Sequence, residues 1–155
     1  MTNPVLIKDE ISDDRASQFG KRIIERHFQV PNGRVYPILC VTTAGIVPVI
    51  VFALTERNTI FLVNQFRFGT NTCLLELPGG CPKSGQSVSD AVKMELLEEV
   101  GVEAGKIEIL KEIMPLNPAL EDTAAMAIIA TDCRRVSKQS LDDTEVAEVR
   151  EVTII

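Results

Sequence analysis

LLELPGGCPKSGQSVSDAVKMELLEEVGV, residues 74–102, is the stretch on which the reading of this chain turns. It starts as a short apolar run, breaks at Pro78-Gly79-Gly80, crosses a polar loop and then takes on a helical pattern. Ser87 is a candidate N-cap with Asp90 three residues on, the capping-box spacing, and Gly101 is a candidate C-terminal stop. Between them Glu95, Glu98 and Glu99 stand at i, i+3 and i+4, which puts three carboxylates on one helical face. Val92, Leu96 and Val100 fall on the neighbouring face and are expected to pack on the core.

Such an acid cluster has two readings. Two carboxylates about 6 Å apart repel by roughly 3 kcal/mol at an effective dielectric near 20. On an exposed helix, water and salt screen that repulsion, and the cluster is an ordinary solvated face. Beside an apolar face and a glycine-rich loop, a divalent cation would reverse its sign, and hard oxygen donors suit Mg²⁺ or Mn²⁺. Spacing alone leaves both open.

The stretch resembles a Nudix box, with the pattern G-x5-E-x7-R-E-U-x-E-E-x-G-U, where U is aliphatic. Gly80 takes the first glycine, and Glu95-Leu96-Leu97-Glu98-Glu99-Val100-Gly101-Val102 follows the pattern residue for residue. Two positions depart from it: Gln86 stands at the family's glutamate and Met94 at its arginine. Loss of one charge alone would strand the other. Loss of both is a coordinated replacement, provided the two side chains meet in the fold.

Composition bounds the rest. A chain of 155 residues, 45% apolar and 25% charged, is expected to form one domain over 1–155 with a substantial core. Its net charge of −6 argues against nucleic acid and anionic membranes as partners. An anionic substrate then needs a metal or local arginines to admit it. Cys40, Cys73, Cys81 and Cys133 form no C-x-x-C pair, and with a single histidine there is no zinc constellation. Reduced cysteines and a cytoplasmic location are expected. No apolar run reaches the roughly 20 residues of a membrane span, and no secretory signal pattern is visible.

Along the chain, residues 1–17 read as polar and loose. Arg22–Val30 and Arg34–Thr42 are β-rich runs around Pro31-Asn32-Gly33, a hairpin signal. His27, alone in the first run, reads as structural. Ile46–Leu54 and Thr59–Gln65 are two more strands joined by Glu56-Arg57-Asn58. After the helix, Lys106–Met114, Ala124–Thr131 and Val146–Ile155 are further strands. Pattern alone supports only a mixed α and β domain.

Outside the box, Gln65-Phe66-Arg67 followed by Leu75-Glu76-Leu77-Pro78-Gly79-Gly80 is similar to the ADP-ribose pyrophosphatase branch of the Nudix hydrolases. The likeness runs from about Pro31 through Val152. It implies an α/β (α+β) Nudix fold: a mixed β-sheet with the box helix packed on it, plus an N-terminal β-hairpin. The chain stops at Ile155, where relatives usually add a last helix, so either a truncated protein or one that has shed that helix is expected. It also implies a metal-dependent pyrophosphohydrolase acting on a nucleoside diphosphate linked to another moiety, such as the sugar of ADP-ribose. Asn117-Pro118-Ala119 replaces the branch's S-P-G-type turn, which weighs against ADP-ribose itself and leaves related substrates open.

By resemblance, Mg²⁺ or Mn²⁺ falls to Glu95, Glu98, Glu99, the Gly79 carbonyl and Glu145, and phosphate contact to Arg67 with Gln65. Glu95, Asp143 and Glu145 are the candidate catalytic acids. Asp143 or Glu95 would act as general base, and Glu148 is an alternative loop acid. Read without the family, Asp142-Asp143-Thr144-Glu145 is a solvated charge run. The branch also implies a homodimer built with the N-terminal strands. The competing class is a Nudix domain that binds a nucleotide without cleaving it, favoured by Gln86 and Met94 and opposed by the intact acid triplet.

Overall fold

A computed structural model describes residues 3–15, 17, 20–43, 47–119, 121–141 and 146–154. It divides into two compact units: residues 1–46 with 115–124, and residues 47–114 with 125–155.

The first unit is a three-stranded antiparallel sheet of β1 (Val5–Asp13), β2 (Lys21–Gln29) and β3 (Val35–Thr43), in that order. The β2–β3 hairpin is the one expected from Pro31-Asn32-Gly33. Gly33 takes φ +82°, and the turn closes with Val30 N–H donating to Arg34 O at 2.9 Å. β1 corrects the expectation of a loose N-terminus. Its apolar residues are interrupted by charges, so alternation over Val5–Asp13 is faint. Pairing along β2 organises it, with Asp9 opposite Arg26 and an ion pair at 3.6 Å between them. Both of this sheet's outer strands keep apolar side chains exposed: Val5, Ile7 and Ile11 on β1, Val35 and Leu39 on β3.

Residues 115–124 are tied to β3 by Asp122. Its N–H donates to Val41 O, its Oδ1 accepts from Thr43 N–H at 3.1 Å, and its Oδ2 accepts from Arg26 Nη2 at 3.1 Å. Burial pushes this carboxyl up, but hydrogen bonds from Thr42 and Thr43 and the Arg26 guanidinium outweigh it and hold it below its usual value.

The second unit carries a mixed seven-stranded sheet. β4 (Val49–Leu54) runs antiparallel to β5 (Thr59–Arg67) and parallel to β10 (Ala124–Thr131), and β9 (Lys106–Pro115) lies beyond β10. β12 (Ala147–Thr153) covers the outer edge of β5 from Thr59 to Gln65. β4 and β5 pair only at Ala53–Leu54 with Ile60–Phe61 and then part. The chain itself fills the gap: β6 (Thr72–Glu76) pairs with β5, and β7 (Gly79–Gly80) pairs with the start of β4. A two-stranded ribbon of β8 (Val102–Glu103) and β11 (Arg134–Arg135) completes the unit.

One helix packs on this sheet. Ser87 caps it, accepting from Asp90 N–H at 3.1 Å, and α1 runs Val88–Glu95. The sequence read an unbroken α-helix to Gly101, but Leu96–Val100 is a π-helical turn, which ends on Gly101 at φ +68°. Val92, Leu96 and Val100 are fully buried against Val49, Val51, Phe61, Val63 and Ile128, as their spacing requires. Among the described residues no helix is long and apolar enough to cross a membrane.

Asp122 gives a pH test. A carboxyl held low in the folded state contributes stability above its unfolded value near 4, and that contribution is lost as pH falls through the folded value. Asp122→Asn should therefore lower the urea midpoint most at neutral pH, with the gap to wild type closing below about pH 4. The cost should be about 0.5–1 kcal/mol, at the low end because the side chain is 35% exposed. A gap independent of pH would remove the carboxylate from this account.

Candidate active site

The box loop and helix meet where β7 lies on β4. At Gly79 a β-carbon would run into the Val49 carbonyl, and at Gly80 it would run into the Glu95 carboxylate. Only glycine fits at Gly79, where the neighbour is backbone, whereas at Gly80 the neighbour is the movable end of the Glu95 side chain; the absent side chains let the helix acids approach the strand. Glu99 is buried, 6% exposed, and its Oε2 accepts from Gly79 N–H at 2.8 Å. A charge-assisted bond to backbone offsets part of the cost of burying that carboxylate.

Glu95, Glu98 and Glu99 line one cavity of about 250 Å³ together with Gly79, Gly80, Cys81, Lys83, Met94 and Ser140. The three acids expected to share a face are thus brought to one hollow, although the π turn interrupts the helix that carries them. Their donor chemistry, all hard oxygen, fits a divalent cation. Among the described residues no three His, Cys, Asp or Glu side chains converge into a preformed cage. Lys83 and Ser140 were not anticipated. Lys83 had a signal in its place within the glycine-rich loop before the acids. Ser140 had none, since only folding brings it near: its N–H donates to Glu98 O at 2.8 Å. Burial, and next the Glu95 charge, push the Cys81 thiol up, so it stands at the cavity protonated.

Gln86 and Met94 do meet. Gln86 Nε2 donates to Met94 Sδ at 3.6 Å, and Gln86 Oε1 accepts from Lys83 N–H at 2.8 Å. A neutral link joins the loop to the helix where the family pattern places opposite charges.

The expected phosphate contacts lie elsewhere in the unit. Arg67 makes a two-pronged ion pair with Glu76, Nε to Oε1 at 2.9 Å and Nη2 to Oε2 at 2.7 Å. The Arg67 hydrogen bond holds the Glu76 carboxyl below its ordinary value against the opposing effect of burial. Gln65 is 7% exposed and shares its strand face with Phe61 and Val63. Neither lines the acid cavity. Asp143 and Glu145 lie outside the described residues. Glu148 is exposed on β12 and paired with Arg150 at 2.9 Å. His27, in the first unit, contacts Glu25 at 2.6 Å, in line with a structural role.

A family model described as NUDIX domain matches residues 46–154. The chain is 28% identical over 140 residues to an ADP-ribose pyrophosphatase of Bacillus subtilis (strain 168), covering 88% of this chain and 74% of that protein. It is likewise 28% identical over 127 residues to a methanol dehydrogenase activator of Bacillus methanolicus, covering 81% of this chain and 67% of the other. A crystal structure of an ADP compounds hydrolase superimposes with a TM-score of 0.79 at 18% identity, covering 99% of this chain and 80% of that one, which establishes likeness of fold.

Two substitutions test the site's construction. Met94→Arg alone should lower stability by about 1–2 kcal/mol by placing a half-buried guanidinium against an amide, and adding Gln86→Glu should recover most of it. Equal melting temperatures for the single and double variants would mean the two positions are not coupled. Gly80→Ala should displace the Glu95 side chain and cut any metal-dependent turnover with little change in melting temperature; full turnover would show that Glu95 tolerates the shift.

Proposed function

The chain belongs to the Nudix hydrolase family, and from that membership we propose that it is a metal-dependent pyrophosphohydrolase of nucleoside diphosphates linked to a second group, with a nucleoside diphosphate sugar such as ADP-ribose as the first candidate. The observation that carries this reading is the cavity in which Glu95, Glu98 and Glu99 face the Gly79-Gly80 corner. A buried carboxylate beside two others is electrostatically costly, and a cation would turn that cost into affinity. The Bacillus subtilis relative, by its name an ADP-ribose pyrophosphatase, supports the substrate class.

In the proposed mechanism Glu95, Glu98, Glu99, the Gly79 carbonyl and Glu145 would hold Mg²⁺ or Mn²⁺. When bound, the ion supplies Lewis acidity and neutralises charge on the diphosphate. Water attacks one phosphorus, the bridging P–O bond breaks, and Asp143 or Glu95 accepts the proton from the water. The products are a nucleoside monophosphate and a sugar phosphate. Arg67 orients a phosphate oxygen, for which its fork must exchange Glu76. Gln65, two residues earlier and buried, positions that strand end.

The binding-only alternative drew on Gln86 and Met94. Their hydrogen bond supplies a neutral substitute for a lost ion pair and weakens the ground for it. The exposed apolar side chains of the first unit's sheet, with Val5, Ile11 and Leu39 each more than half exposed, suit a homodimer. Four unpaired cysteines, two of them exposed, suit the reducing cytoplasm.

The test is hydrolysis of ADP-ribose, ADP-glucose, GDP-mannose and NADH with Mg²⁺ or Mn²⁺, wild type beside Glu99→Gln. Turnover should need the metal and fall by about 100-fold or more in the variant. Equal turnover by both proteins would sink the proposed site, and binding of one compound without turnover by wild type would establish the sensor instead.

A further inference from the structure

We propose that a second cavity, at the Thr55 turn, binds a small anion carrying a phosphate group. The hollow measures about 350 Å³, within the range of small-ligand sites, and its walls include Arg57, Arg134 and Arg135. It shares no lining residue with the acid cavity. The two stand at opposite ends of β4: Val49 and Ile50 pair with Gly80 and Gly79, whereas Thr55 follows the last residue, Leu54. At about 3.3 Å per residue, that strand separates them by roughly 20 Å.

Three arginines at one hollow are unexpected on a chain of net charge −6. Arg57 is committed, its Nη2 3.2 Å from Glu151, which also accepts from the Thr59 hydroxyl at 2.6 Å. Arg134 and Arg135 are not: among the described residues neither has a carboxylate within ion-pair distance. The guanidinium carbon of Arg135 lies 5.6 Å from the Phe61 ring centroid. Stacking uses the face of that group and leaves its in-plane N–H donors for an oxyanion. Both side chains ride on β11, held by pairing with β8 and by Cys133 N–H donating to Leu54 O at 3.0 Å. Both side chains leave a backbone fixed in this way, Arg134 also bordering a neighbouring hollow with Glu103 and Asp132, and a guanidinium fork matches phosphate oxygens two at a time.

The rest of the lining is compatible. Glu56 is the remaining carboxylate besides Glu151, so guanidinium groups outnumber acids. Burial, helped by the Asp132 charge, pushes the Cys133 thiol up to about 11, so it adds no negative charge. No step of the proposed hydrolysis uses this cavity, which makes its ligand an effector or a retained product. The shared chemistry is a phosphate group, free or esterified to a nucleoside.

Calorimetric titration of the full chain in metal-free buffer with inorganic phosphate and, separately, with AMP tests this. Without a cation the acid cavity repels both ligands, so the readout is independent of hydrolysis. Wild type should bind one equivalent. Arg134→Gln/Arg135→Gln should bind at least about tenfold more weakly for each fork removed, and Glu99→Gln should bind as wild type does. Both arginines are exposed, so the variant should fold, which circular dichroism verifies; Arg134→Gln alone is the second variant. Equal affinity for the two ligands assigns free phosphate, and tighter AMP binding assigns a nucleotide. No heat from either ligand at several millimolar, undiminished binding by the double variant, or tighter binding by Glu99→Gln, which would place the ligand at the acid cavity, overturns the proposal.

Discussion

The bond from Gly79 N–H to the buried Glu99 carboxylate joins the two halves of the acid cavity. On one side β7 is fixed to β4 by ladder pairing and by a backbone approach so close that no side chain fits at Gly79. On the other, the helix is fixed to the sheet by Val92, Leu96 and Val100. The charged hydrogen bond between Gly79 and Glu99 ties these two parts together beside the cavity that Glu95 and Glu98 also line. A carboxylate at 6% exposure is a group that proteins bury only with partners at hand.

Charge in the second unit is sorted along β4. Carboxylates gather where β7 begins it, and guanidinium groups gather beyond its end. Between the box loop and the helix, the Gln86–Met94 link carries no charge at all. Its strength is therefore insensitive to salt and pH, whereas an ion pair would respond to both. The loop–helix geometry should stay constant while the acids beside it change protonation or acquire a cation.

Much of this was legible. The cap at Ser87, the stop at Gly101, the buried stripe and the Pro31-Asn32-Gly33 hairpin are local features, and local features are written in adjacent residues. β1 was missed because charges break its alternation and its partner strand supplies the order. β6 and β7 fill the parting of β4 and β5, a tertiary circumstance that a short apolar run before Pro78 cannot announce. The pairing of Arg67 with Glu76 crosses two strands, and propensity is silent about such partners. The acids came to one hollow, as spacing suggested. Their neighbours Lys83, Cys81 and Ser140 come from a loop and from a segment some forty residues after the helix, and only folding shows them.

The π turn at Leu96–Val100 bears on how this protein is compared with its kin. A π turn amounts to one extra residue accommodated inside an α-helix without lengthening its hydrogen-bonded path. A helical wheel drawn at a steady 100° per residue then drifts out of phase beyond Glu95, and the drift falls on Glu98 and Glu99. Two chains can carry identical letters at these positions and aim their carboxylates differently if one is wound as α and the other as π. Matching the box is a statement about spelling; the aim of its acids is set by winding, and winding has to be read from the backbone.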